Sequence, residues 1–276
     1  MKIDMHCHVG EGSIDSHVSL EEYINILKSR GYDGMLVTDH DTYNGYRKWK
    51  YDLCNTCKDF VVLKGIEYDT KDGGHFICIM PSGTKMRLME NRGLHLVDLI
   101  EFVHGHGGIL GPAHPYGAKY QSFATTKVFK KNANLTKEFD FIETFNACES
   151  AISNKKAAKL ARVYNLPGIG GSDAHKPKAV GLGYTKILKS VSDEDEFIEY
   201  IKGAAPVLAD GEYYGETLKD RVGKIGHIID AGFWIYNRSG TLFQNRKRKK
   251  NIVKEKPNEN IMKIKKTTFS DAAKKR

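Results

Sequence analysis

Short apolar runs and amphipathic stretches take turns along the chain, each bounded by cap or turn residues. Lys2–His6 reads as a strand. The segment from about Ser19 to Arg30 reads as a helix, with Ser19 and Glu22 spaced as a capping box and Gly31 as a C-terminal stop. Gly34–Thr38 is a buried strand ending in Asp39-His40-Asp41, and a helix follows across Tyr46–Lys58. Phe60–Glu67 and His75–Met80 are the next strands, the second after a Gly73-Gly74 turn. Leu94, Val97, Leu99, Ile100 and Val103 repeat at helical spacing over Leu94–His104. Ile109–Gly111 leads to His114-Pro115, Phe139–Phe145 is a strand, and Glu149–Tyr164 is a helix. Gly168–Gly171 delivers Ser172-Asp173-Ala174-His175; Tyr184–Leu188, a helix at Asp193–Lys202 and a strand at Pro206–Leu208 end the pattern. Strand, helix, strand, repeated, predicts an α/β fold with a parallel sheet and right-handed crossovers.

At 276 residues the chain has room for one large α/β domain or two small ones. We expect a main domain over 1–215, an extension over 216–243 and a basic tail over 244–276. The net charge of +9 belongs to that tail, where 13 Lys and Arg face 3 Asp and Glu; the rest of the chain holds 30 against 31. A near-neutral body with a basic arm does not describe a fold built around nucleic acid. The arm itself reads as a solvated, flexible tail or as an electrostatic arm for RNA, DNA or an anionic membrane surface. No apolar run is long enough to cross a membrane, and no leader precedes the first strand, so a cytoplasmic protein is expected. The five scattered cysteines do not suggest a disulfide framework, and the Cys54-x-x-Cys57 pair falls in a helical stretch.

Candidate chemistry begins in the first strand. Strand geometry sends His6 and His8 to one face, as two neighbouring nitrogen donors, and Cys7 to the other, as a core thiol. Further groups recur near the C-terminal ends of successive strands: Asp39 and His40, Glu67, His114, Asp173 and His175. In an α/β barrel that rim is where reactive residues collect. His75, near the start of its strand, departs from the rule.

Taken together, His6-x-His8, Thr38-Asp39-His40-Asp41, Gly65-Ile66-Glu67, Gly74-His75, His114-Pro115 and Gly171-Ser172-Asp173-Ala174-His175 resemble the PHP (polymerase and histidinol phosphatase) family over about residues 1–210. The resemblance implies a distorted seven-stranded (β/α)7 barrel around up to three divalent cations. It implies that His6, His8, Glu67 and Asp173 hold the first, that Glu67, His75 and His114 hold the second, and that Asp15, His40 and His175 hold the third. Asp15 follows a small insertion at Val9–Ile14, which leaves His17 as an alternative. Mixed imidazole and carboxylate donors suit Zn²⁺, Mn²⁺ or Fe²⁺. A shared carboxylate holds two cations about 3.5–4 Å apart, and water bridging them becomes the nucleophile. Glu67, Asp173 and His175 are then the residues expected to carry catalysis. Asp39 and Asp41 are expected to orient His40; Glu143 and Asn146 are expected beside the metals or as structural hydrogen-bonding groups.

Pro115–Lys137 is the longest stretch without a predicted element, and it opens directly after His114. With Tyr116, Lys119, Lys127, Lys130 and Lys131 it is a candidate lid, and Tyr116, Lys119 and Asn146 are candidate substrate contacts. The expected function is metal-dependent hydrolysis of a small phosphomonoester or nucleotide phosphate. Alternatives are a 3′,5′-bisphosphonucleotide phosphatase, a 5′-3′ exonuclease on short RNA, and a metal-stabilised binding or regulatory module.

Overall fold

The structure, a computed structural model, describes residues 1–117 and 122–215. Lys119 and the expected 216–243 and 244–276 segments therefore lie outside the described residues. Nine strands are present among those described: β1 (Lys2–Cys7), β2 (Gly34–Val37), β3 (Val61–Asp69), β4 (His75–Ile79), β5 (Ile109–Pro112), β6 (Ile142–Asn146), β7 (Gly168–Gly171), β8 (Gly183–Ile187) and β9 (Val207–Gly211). The α-helices are α1 (Leu20–Ser29), α2 (Asn44–Lys48), α3 (Leu96–Gly105), α4 (Lys127–Lys131), α5 (Ala151–Tyr164) and α6 (Glu194–Lys202).

Local chemistry accounts for the helix boundaries. Ser19, Ser150 and Asp193 accept the N–H of the residue three ahead and so cap α1, α5 and α6. Asn165, at φ 53°, ends α5 in the left-handed conformation. The predicted Tyr46–Lys58 helix starts earlier and ends sooner, as α2 running into a π turn at Trp49–Leu53. Pro115–Lys137 is not bare loop either. It holds 3₁₀ turns at Phe123–Thr125 and Ala133–Glu138 with α4 between them. Its apolar anchors Phe123 and Phe129 stack edge to face, a pairing that strand and helix periodicity does not reveal.

The sheet is mixed, which corrects the all-parallel expectation. Seven strands run in the order β5-β4-β3-β2-β1-β8-β9, with β6-β7 as a separate pair. β1, β2 and β3 are parallel, as are β6 and β7, but β3–β4, β4–β5, β1–β8 and β8–β9 are antiparallel. The reason at β3–β4 is length. Thr70–Gly74 is closed by Thr70 N–H donating to Gly74 C=O at 3.1 Å, and so short a connection can only reverse the chain. Reversal pairs Asp69 with His75 and puts the start of β4 on the same rim as the end of β3. His75 thus joins the other candidates from the start of its strand, because that strand runs antiparallel to β3.

The sheet curls. The β6–β7 pair meets β5, where Asp140 N–H donates to Leu110 C=O, and β1, where Asp173 N–H donates to His6 C=O. One buried cluster draws Ile3 and Met5 from β1, Leu36 from β2, Leu63 from β3, Ile77 from β4, Ile109 from β5 and Ile169 from β7. A single core fed by that many strands is what a curled sheet encloses. Close approach of β7 to β1 depends on Gly171, where any Cβ would collide with His6.

Candidate metal centre

Most expected ligands come from the C-terminal end of a strand or the residues just past it; His75 comes from the start of the antiparallel β4, and Asp15 from the loop after β1. On β1, His6 Nε2 and His8 Nε2 lie 3.0 Å apart, so the two rings do share a face. The β1–β2 register shifts between Asp4 and Cys7, an irregularity that re-aims the intervening side chains. Asp4, fully buried, ties this strand end to the last motif: its carboxylate accepts from Ser172 N–H at 2.8 Å and from Tyr23 Oη at 3.1 Å. Asp173 and His175 are thereby held against His6 and His8. His114 and Asp173, with φ of 31° and 51°, occupy the left-handed region that side chains other than glycine rarely adopt. Such strain persists where surrounding contacts over-determine it, and it gathers at functional sites.

Glu67 stands at the centre and divides the cluster. Its Oε1 lies 2.9 Å from His75 Nδ1 and 3.1 Å from His114 Nε2. Its Oε2 lies 2.9 Å from His40 Nδ1, 3.3 Å from His8 Nε2 and 3.6 Å from His6 Nε2. Asp173 Oδ1 sits 3.3 Å from His8 Nε2 and 3.7 Å from both His6 Nε2 and His175 Nδ1. At the mouth, Asp15 Oδ2 is 3.4 Å from His175 Nε2 and 3.6 Å from His40 Nε2. The loop insertion therefore brings in Asp15, whereas the His17 ring is exposed. All nine positions expected to hold cations converge. His40 faces Glu67 with one ring nitrogen and Asp15 with the other, so it lies between two groups that the motif reading kept separate.

Glu143 and Asn146 lie beside the candidate ligands, whereas Asp39 and Asp41 do not orient His40 as expected. Glu143 Oε1 sits 2.8 Å from His6 Nδ1, and Glu143 Oε2 accepts from His114 N–H and from Asn146 Nδ2. Asn146 Nδ2 also reaches Asp173 Oδ2 at 3.2 Å. Asn146 is thus committed to holding two carboxylates. Tyr116, the other described substrate candidate, packs its ring near Phe129. Asp39 does not orient His40. Its carboxylate accepts from Val9 N–H, Gly45 N–H and the Ser13 hydroxyl, and Ser13 Oγ lies 3.0 Å from His8 Nδ1. Gly12 and Gly45 leave the room that Asp39 fills. Asp41 instead accepts Asp69 N–H and pairs with Arg92. Ser13 was missed because nothing in a loop sequence marks a hydroxyl that meets a residue five positions back.

The charges in this cluster are mutually sustained. Burial alone would raise the Glu67 carboxyl, but His75, His40 and His6 outweigh it and hold it well below the usual range. Asp173 is held down likewise, burial being overcome by His6, His8 and His175. Burial would depress His6 and His40; Glu143, Asp173 and Glu67 hold the first well above its ordinary value, and Glu67 and Asp15 the second. His8 goes the other way, pushed down to about 3 by burial and by the neighbouring His175 and His40. Its ring is neutral, with Nε2 aimed into the cluster.

These residues fit divalent cations. Glu67 Oε2 and Asp15 Oδ1 are buried without a hydrogen-bond partner, a costly state that a cation relieves. His6, His8 and Glu67, then His40, Glu67 and His75, then His8, His40 and His175 each offer donor atoms within 4.8 Å of one another. Mixed nitrogen and oxygen donors at this density suit first-row divalent metals.

Residues 151–205 match the family model described as PHP-associated. No curated protein matches the chain in sequence. Solved structures match its fold. A two-domain protein from Bacteroides vulgatus, containing a predicted PHP-like metal-dependent phosphoesterase, aligns at TM-score 0.59 and 20% identity over 77% of this chain and 65% of its own. Endonuclease Q, in complex with a duplex bearing an abasic lesion at its active site, aligns at 0.55 and 17% over 81% of this chain and 62% of its own. PsfC from Pseudomonas syringae aligns at 0.55 and 16% over 84% of this chain and 98% of its own. The chain thus spans about two thirds or less of the first two proteins and nearly all of the third. The PHP resemblance read from the motifs stands, on the family match and on the shared fold.

Proposed function

We propose that the chain is a metal-dependent phosphoesterase that hydrolyses a small phosphomonoester or nucleotide phosphate, with 1–215 as its catalytic unit. The observation that carries this is Glu67, which turns one oxygen to His75 and His114 and the other to His6, His8 and His40. A carboxylate shared between two cations has that disposition. His6, His8, Glu67 and Asp173 would hold one cation, Glu67, His75 and His114 a second, and Asp15, His40 and His175 a third. Zn²⁺, Mn²⁺ or Fe²⁺ there would supply Lewis acidity toward phosphoryl oxygens and activate water near neutral pH.

The chain's own residues prepare that chemistry. Glu143 accepts a hydrogen bond from His6 Nδ1–H and so leaves Nε2 to face the centre; Ser13, donating its hydroxyl to Asp39, accepts likewise from His8 Nδ1–H. Asn146 fixes the Asp173 carboxylate from outside. His40, His175 and Asp15, partly exposed at the mouth, form the side from which a phosphate ester enters. A nucleic-acid phosphodiester is the second reading, favoured by the fold shared with endonuclease Q.

The test is elemental analysis of protein purified without added metal, followed by a screen across sugar, amino-alcohol and nucleotide phosphates. Glu67→Ala and Asp173→Ala abolish turnover. His95→Ala, which removes an exposed ring paired with Asp72, leaves it intact. Equal activity in all three variants, or protein that carries no transition metal, defeats the proposal.

A further inference from the structure

We infer that the outer face formed by α4, the 3₁₀ stretch after it and α5 is a docking surface for the phosphodiester backbone of a nucleic-acid strand. The inference rests on the phosphoester reading for what happens to the strand, and it narrows the substrate class.

The near-neutral body conceals a polarised one. Residues 115–178 hold 11 Lys and Arg against 5 Asp and Glu, whereas 1–114 hold 12 against 16 and 179–215 hold 3 against 7. Of those five acids, Glu143 and Glu149 are buried, Asp173 faces the metal centre and Asp140 pairs with His104. Glu138 is left as the exposed carboxylate of the stretch. Lys127, Lys130, Lys131, Lys137, Lys155, Lys156, Lys159 and Arg162 are all exposed. None of the eight has an ion pair or side-chain hydrogen bond among the described residues. Lys28 pairs with Asp59 and Lys48 with Asp52, whereas what sets this stretch apart is that its eight cations share it with one exposed carboxylate.

Helix polarity sharpens the contrast. The positive end of a helix dipole favours acidic residues in the first turn, and α1 and α6 comply with Glu21 and Glu22 and with Glu194, Asp195 and Glu196. α5 has no acid in its first turn and follows it with Lys155 and Lys156. Dipole and lysines then add, an unfavourable arrangement for an isolated helix that an anionic partner turns to advantage. Lys155, Lys159 and Arg162 are four and three residues apart and so share one side of α5, over about 10 Å of helix axis. A groove beside them, lined by Thr144, Lys155, Arg162, Leu166 and Gly168, offers room for sugar and base.

The N-terminal end of α5 lies beside the centre, where Asn154 bonds the Asn146 backbone. α5 starts at Ala151, a few residues past Asn146, whose side chain touches Asp173. The stretch holding α4 opens at His114, and Tyr164 Oη donates to Ala133 C=O at 3.0 Å, joining its far end to α5. A chain of repeating phosphates lying on these helices would reach the metal donors through the mouth formed by His40, His175 and Asp15.

Fluorescence anisotropy of a labelled oligothymidylate across a salt series, with the full chain, tests this. The triple variant Lys155→Gln, Lys159→Gln, Arg162→Gln binds more weakly, and its log–log salt slope shrinks by about 2, at roughly 0.7 per lost phosphate contact. Lys71→Gln with Lys85→Gln and Arg87→Gln, exposed residues elsewhere, leaves the slope unchanged. The 216–276 segment is present in every protein, so its contribution cancels. An unchanged slope in the α5 variant, or no strand binding by the full chain, overturns the inference. So does loss of binding to phosphatidylserine vesicles while strand binding persists. Metal-dependent hydrolysis of bis(p-nitrophenyl) phosphate, measured separately on the unaltered chain, tests the catalytic reading, so either claim can fail alone.

Discussion

The metal centre has a sealed half and an open half. The His6 and His8 side chains are 0% exposed and Glu67 1%, whereas His40 is 29%, His175 27% and Asp15 16% exposed. The sealed half stands on β1 and β3, with partners fixed from behind by Glu143 and by Ser13 and Asp39. The open half comes from residues beyond strand ends and from an inserted loop. Burial strengthens electrostatic contacts and penalises unpaired charge, so the sealed half has the deeper need for cations. Under the proposed reading, the open half would exchange a cation with solvent and meet substrate.

The largest effect should come from the sealed half. Glu67→Gln is expected to abolish turnover and to strip metal from both sides at once, read by elemental analysis alongside the rate. Retention of full metal content would show that Glu67 is not shared. In the open half, Asp15→Asn should remove cation only from the mouth and lower kcat about 10–100-fold, the range for weakened ligation; equal loss from both halves would erase the distinction. Ser13→Ala reaches His8 indirectly. It should weaken metal affinity by about tenfold, with Ser13→Thr restoring it, and competition against a chromogenic chelator reads the change. Failure of Thr to rescue would leave Ser13 as packing only.

The smallest expected effect is pH-linked. In the metal-free protein, carboxylates outweigh burial and hold His6, His40, His114 and His175 above their ordinary value. Their contribution to stability is therefore fully present below about pH 6.5 and is lost as pH rises through the raised values. Glu67 and Asp173 are held low and contribute above the ordinary carboxylate range, losing that contribution as pH falls. Cations need deprotonated donors and so bind more tightly as pH rises. The Tm difference between metal-loaded and chelator-treated protein should grow from mildly acidic to mildly alkaline pH in thermal melts. A flat or shrinking difference would mean that cations do not replace protons in this cluster.

Much of the fold was legible because its signals are local. Cap residues marked α1, α5 and α6, and alternation placed His6 with His8. Recurrence near strand ends pointed to His40, Glu67, His114, Asp173 and His175, while His75 and Asp15 entered through the PHP resemblance. Strand direction was not legible, since apolar periodicity is the same in parallel and antiparallel strands. Only the Thr70–Gly74 reversal shows why His75 lies on the rim. Summed charge likewise misled: a body near neutrality in total proved basic over 115–178 and acidic on either side.

The sequence by itself carried the candidate donors: residue type and recurrence near strand ends pointed to His6, His8, His40, Glu67, His114, Asp173 and His175, and the PHP resemblance added Asp15 and His75. Tertiary structure alone decided how those donors are shared and supported. Glu67 came to divide between two groups, Asp39 to serve His8 through Ser13, and Asn146 to clamp Asp173, because each contact joins residues whose proximity depends on how the sheet curls.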